Sequence, residues 1–212
     1  MKTALSLSSP KEWEEALNYN AGFREIRIDL IDGKESADEL LSLCLKKSDD
    51  IPIIATIRSI KEGGKFSKSP KEWRELIEPW LCCTDYVDIE RDFRLFAPEI
   101  KASKKSVIGS VHLGYMPDKR ELYDIESELR EYCDIPKIVV TPKNLSDVAD
   151  FIKFTAMSKK PVITSVMGEE FKFARVPLLL TGSMLIYCHC GKEASKGQYH
   201  IRDIKKIIEI LR

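Results

Sequence analysis

Neither sign of charge prevails in this chain of 212 residues, where 34 lysines and arginines stand against 34 aspartates and glutamates. Without a basic footprint a nucleic-acid partner is excluded, and without an acidic tail the expected partner is a small molecule. No stretch approaches the roughly 18 uninterrupted apolar residues that a membrane helix needs. The opening MKTALSLSSPKEWEE returns to charge too early for a signal peptide, so a soluble, cytoplasmic protein with no membrane segment is expected. The cysteines, at 44, 82, 83, 133, 188 and 190, include no CxxC pair, which favours reduced thiols over a disulfide frame. Cys188-His189-Cys190 has metal-ligating residue types, yet in a strand both cysteines point one way and His189 the other. No zinc or other metal is expected. No GxGxxG turn follows the first apolar run, and no repeat or linker divides the chain.

What the chain does have is alternation. Short β-branched or apolar runs occur at 3–8, 25–30, 52–57, 86–90, 106–112, 136–140, 161–167 and 183–190. Between and after them lie amphipathic segments at 10–19, 36–47, 69–81, 97–104, 118–132, 145–158, 176–181 and 196–211. Ser9-Pro10 and Ser69-Pro70 read as helix starts, and Pro79 as a kink or end. Parallel strands each need a crossover helix, so eight such pairs predict a single-domain (β/α)8 TIM barrel over 1–212, with an open doubly wound sheet as the rival.

In a barrel, chemistry gathers where the strands end. Glu25, Arg27 and Asp29 share one face of the second run, alternating with Ile26, Ile28 and Leu30. Arg58 ends the third run before Ser59-Ile60-Lys61-Glu62-Gly63-Gly64, whose glycines let backbone approach a ligand. Glu90 ends the fourth and His112 the fifth, while Lys137 opens the apolar PKIVV. Arg175 follows the seventh and Gln198 the eighth. Singly, each has a plain reading: Lys137 as half of an ion pair with Glu25, Asp29 or Glu90, His112 as a satisfied core histidine, the arginines as caps. Together they ask more, because each buried charge costs several kcal/mol unless paired. A lysine set among apolar wall and cations would have its neutral amine favoured. Such an amine attacks ketones, and the resulting iminium makes the neighbouring carbon acidic enough for a histidine to deprotonate. Arginines hold a carboxylate by bidentate pairing.

These residues resemble one family throughout the chain. EIRIDL (25–30), TIRSIKEGG (56–64), YVDIE (86–90), SVH (110–112), IPKIVVTP (135–142) and GQ (197–198) follow in order the motifs of the type I 3-dehydroquinate dehydratases. The resemblance implies a (β/α)8 barrel, a homodimer, and no metal or organic cofactor. It implies conversion of 3-dehydroquinate to 3-dehydroshikimate, the third step of the shikimate pathway, with Lys137 as Schiff-base lysine, His112 as general acid and base, and Glu62 positioning that histidine. Glu25, Arg27 and Arg58 would bind ring hydroxyls and polar edge, Arg175 and Gln198 the carboxylate, with Ser6 beside them. Where the family has S-A-P-G-Q this chain has Ala194-Ser195-Lys196-Gly197-Gln198, which moves the serine by one place. A class I aldolase uses the same iminium but wants a phosphate site after strands seven and eight, where glycines are sparse. A non-catalytic barrel binding a cyclic acid would have no use for Lys137, His112 and Glu62 together.

Overall fold

The computed structural model describes residues 2–211. Its strands are β1 (Lys2–Leu7), β2 (Phe23–Arg27), β3 (Ile53–Thr56), β4 (Tyr86–Glu90), β5 (Ser106–His112), β6 (Ile135–Val140), β7 (Ile163–Val166), β8 (Leu185–His189) and the two-residue β9 (Tyr199–His200). Its α-helices are α1 (Pro10–Ala16), α2 (Gly33–Leu45), α3 (Pro70–Ile77), α4 (Ala97–Ala102), α5 (Lys119–Tyr132), α6 (Leu145–Met157), α7 (Arg175–Leu180) and α8 (Ile201–Ile210). The strands pair in the order β7-β6-β5-β4-β3-β2-β1-β8-β9, every pair parallel. This is the expected (β/α)8 barrel, with β9 added beside β8. β7 and β8 meet without a ladder among the described residues: Met184 N–H donates to Val162 O at 2.8 Å, and Ser183 Oγ accepts from Thr164 N–H at 3.0 Å.

Local chemistry sets the helix ends. Ser9 and Ser69 accept from Glu12 N–H and Glu72 N–H, each ahead of a proline whose missing N–H costs nothing in the first turn. At Ser69 the Glu72 carboxylate returns the bond, completing a capping box. α3 stops at Ile77 and Glu78–Cys82 continues as a 3-10 turn around Pro79, because the proline ring removes a donor and crowds the preceding turn.

Two corrections follow. The second strand spans Phe23–Arg27 rather than 25–30, and Ile28–Leu30 form a 3-10 turn, so Asp29 leaves the face it was expected to share and folds back onto Arg27. The last helix begins at Ile201 rather than 196, because His200 caps it, its ring accepting from Arg202 N–H, and residues 199–200 pair with β8.

Side-chain alternation divides the wall into two surfaces. Outward residues such as Leu5, Ile26, Ala55, Ile89, Val111 and Ile138 join the helices in the main core, where Trp73 stacks on Phe93 with ring centroids 5.2 Å apart. Outward Arg24 is buried too, paired to Asp49 through both guanidinium ends. Inside, Phe23, Ile54, Ile108, Ile135, Ile163 and Leu185 form an apolar floor. Two residues further along each strand the interior turns polar: Glu25, Thr56, Ser110, Lys137, Ser165 and Tyr187 lie above those floor residues in turn. Period-2 geometry thus places the chemistry one layer above a greasy plug.

Candidate active site

A single cavity at the C-terminal mouth is lined by Glu25, Arg27, Arg58, His112, Lys137, Arg175 and Gln198. Ser6 and Glu62 stand directly behind these, so all nine residues singled out in the sequence converge. Val139, Ser165, Val166, Met167, Tyr187 and Ser195 complete the lining.

The floor of this site is a chain of buried hydrogen bonds. Glu25 accepts from Ser6 Oγ at 2.6 Å and from Thr56 Oγ1 at 2.9 Å, and Gln198 Nε2 donates to Ser6 Oγ at 3.3 Å. The Gln198 amide oxygen in turn accepts from Ala194 N–H. Arg27 grips Asp29 through two bonds of 3.0 and 2.9 Å, and reaches Ala194 O at 3.4 Å. This ties the loop after β8 to the end of β2.

Arg58 is the electrostatic centre. Its Nη1 donates to Glu62 (3.1 Å), Glu90 (2.9 Å) and Ser110 Oγ (2.9 Å), and its Nη2 to Asp88 (2.9 Å). A buried guanidinium requires such a set, since removal from water is repaid only when its planar fork is filled. Two glycines let Arg58 take this place. Gly63 sits at φ +86°, and a Cβ on Gly64 would stand 2.1 Å from Arg58 O.

His112, with 13% of its side chain exposed, faces Glu62 through Nδ1 at 2.8 Å; its backbone N–H donates to the same carboxylate oxygen at 3.1 Å. Burial holds the imidazole well below its usual range, and the charges of Arg58, Lys137 and Arg27 add to this, so the ring is neutral. Burial also pushes Glu62 up to about 8; Arg58 opposes the rise, while Glu90 and Asp88 reinforce it. A neutral ring beside a carboxyl that titrates near neutrality can exchange protons in both directions.

The surroundings of Lys137 correct the sequence reading. Its nearest charged groups are carboxylates, not cations: Nζ donates to Asp88 Oδ2 at 2.8 Å and lies 3.9 Å from Glu25 Oε1. The Tyr187 ring covers it, 4.2 Å from Nζ to the centroid. Lys137 is also the third residue of β6 rather than its first, and reaches the mouth from below. Asp88, bonded to this amine, is the residue at the site that sequence reasoning missed. It is 1% exposed, and burial would raise its carboxyl, but Arg58 and Lys137 hold it down at about 2. The signal was present in YVDIE, where Asp88 shares the inward face with Glu90.

Arg175 is the first residue of α7 and is 4% exposed. It donates to Val166 O at 3.0 and 2.8 Å, to Lys196 O at 3.1 Å and to Gly197 O. Its charge has no carboxylate partner among the described residues. Ser195 lines the cavity, whereas Ala194, in the usual serine's place, contributes backbone groups. Cys188 and Cys190 point into the packing on the outer side, and His189 turns the other way.

The sequence pattern described as type I 3-dehydroquinase matches residues 7–212. A 3-dehydroquinate dehydratase of Methanoregula boonei is 40% identical over 211 residues, covering all of both chains. One of Methanospirillum hungatei is 37% identical, covering all of this chain and 81% of the relative. Among solved structures, the 3-dehydroquinate dehydratase of Aquifex aeolicus superposes with a TM-score of 0.81 at 25% identity, covering 99% of this chain and 98% of that one.

Proposed function

The chain belongs to the type I 3-dehydroquinase family of hydro-lyases, and on that premise we propose that it dehydrates 3-dehydroquinate to 3-dehydroshikimate through an imine on Lys137. The observation that carries this reading is the joint presence, in one cavity, of the Lys137 amine and a neutral His112 backed by Glu62.

The cycle follows from the groups available. The Lys137 nitrogen attacks the C3 ketone, and the carbonyl oxygen leaves as water. The iminium draws electrons from C2, whose proton passes to His112, giving an enamine. The enamine then expels the C1 hydroxyl with the proton returned by His112, so that one residue serves as base and then acid. Hydrolysis of the conjugated iminium frees the product and restores the amine. Glu25, Arg27 and Arg58 offer hydrogen-bonding groups to the ring hydroxyls, with Ser6 supporting Glu25 from behind. The charge of Arg175, which meets no carboxylate in an ion pair among the described residues, and the amide of Gln198 support a carboxylate-binding role for this end of the cavity. The same reading makes residues 1–212 one catalytic barrel, acting as a cytoplasmic homodimer at the third step of the shikimate pathway, without metal or organic cofactor.

The test is reductive trapping. After incubation with 3-dehydroquinate and reduction with borohydride, the expected result is a mass gain on the Lys137 peptide, together with the absorbance of a conjugated enone. An adduct elsewhere, or one formed without product, counts against the reading.

A further inference from the structure

Asp88 is the acid closest to the reacting nitrogen, and it is held from three sides. One carboxylate oxygen takes Lys137 Nζ at 2.8 Å; the other takes Arg58 Nη2 at 2.9 Å and Ser110 Oγ at 2.5 Å. Residue 88 is 1% exposed, and the Tyr187 ring also covers the ammonium. The nitrogen is thereby fixed by a carboxylate and an aromatic face that cannot relax as water would.

We propose that Asp88 is a further catalytic residue: its carboxylate is the standing counter-ion of the Lys137 nitrogen, as ammonium before substrate arrives and as iminium afterwards. This rests on the imine reading above. The balance of the step makes the role possible. Of the three ammonium protons, two end on the carbonyl oxygen, which leaves as water once the C–N bond has formed. The third stays on the iminium nitrogen opposite Asp88. One positive charge is present at the start and at the end, so a fixed anion serves both states without reorganising. The anion slows release of the first proton, and it keeps the nitrogen charged as an electron sink when the C2 proton is removed.

The other titratable or charged groups facing this pair are Glu25 and Arg27 from β2, Arg58 and Glu62 after β3, Glu90 from β4, His112 from β5 and Tyr187 from β8. Asp88→Asn removes a charge at constant size and leaves each of these side chains in the chain, although Arg58, Glu62 and Tyr187 also feel the charge of Asp88. Two quantities separate a counter-ion from a structural prop: the pH at which cyanoborohydride trapping by 3-dehydroquinate is half-maximal, and kcat. For Asp88→Asn the trapping midpoint is expected to fall by about one pH unit or more, as loss of a neighbouring opposite charge requires. Turnover is expected to fall about 100-fold. Ser110→Ala, which removes a hydrogen bond to Asp88 but no charge, is expected to leave the trapping midpoint in place. Should Asp88→Asn not fold, Asp88→Ser carries the same expectation. An unchanged midpoint in the folded variant, with wild-type enzyme trapped normally, overturns the counter-ion; a wild-type enzyme that forms no adduct overturns the imine reading instead.

Discussion

Glu62 holds His112 twice with one oxygen, taking the backbone N–H at 3.1 Å and meeting the ring Nδ1 at 2.8 Å. A carboxylate bound to both the ring and its own main chain fixes the imidazole plane relative to β5, and leaves Nε2 as the nitrogen free for substrate.

The first prediction concerns pH. With Glu62 near 8 and His112 neutral, the base form appears as the pair gives up its proton. We expect kcat/KM to rise with pH to a plateau above about 8. Glu62→Gln should lower kcat by about 10- to 100-fold and abolish that limb. Initial rates across the neutral and alkaline range decide this; an undiminished ascending limb in Glu62→Gln would assign it to another group.

The same carboxyl has a stability consequence of definite sign. Its folded value, about 8, lies above its ordinary 4.5, so its contribution is complete below 4.5 and lost as pH climbs through 8. Melting temperatures taken from mildly acid to alkaline pH should therefore fall more steeply for the wild type than for Glu62→Gln. Parallel curves would show that burial of Glu62 is compensated in both states.

Lys137→Ala should abolish turnover while leaving substrate binding measurable by calorimetry, because the groups expected to hold the substrate remain. His112→Ala should accumulate a covalent adduct visible by mass spectrometry without reductant, since attack does not need the ring but elimination does. Near-normal turnover in Lys137→Ala would remove the imine from the mechanism.

Gly64→Ala tests the loop that seats Arg58. A methyl 2.1 Å from Arg58 O cannot be accommodated without moving that main chain. The expected cost is about 1–3 kcal/mol of stability, read from denaturant unfolding, together with a raised KM as Arg58 shifts. A variant with wild-type stability and KM would mean the loop yields freely.

Much of this architecture is legible before any coordinates. Runs such as SVIGSVH and DKRELYDIESELREY carry periods of two and of about 3.6 over their whole length, and form β5 and α5 almost as read. The ends of elements are less legible where a tertiary partner decides them. Phe23 and Arg24 join β2 because β1 and β3 offer them ladder partners, and Tyr199 joins a strand only because β8 lies alongside. At the site, residue types at strand ends singled out Lys137, His112 and the arginines, the resemblance added Glu62, and the structure brings them together. What could not be read was who faces whom. The Lys137–Asp88 bond joins residues 49 apart in sequence across two strands, and no local pattern encodes that distance. The mistaken expectation of a cationic wall around Lys137 came from the same blindness.

The join between β7 and β8 has a consequence for how the cylinder breathes. Elsewhere neighbouring staves share a continuous ladder, whereas here a serine hydroxyl and one main-chain bond carry the closure, below the loops that Arg175 laces together. Deuterium should enter Ile163–Val166 and Leu185–Tyr187 sooner than the buried staves on the opposite side, and anything that seats itself against those loops should slow that entry by fastening the barrel shut.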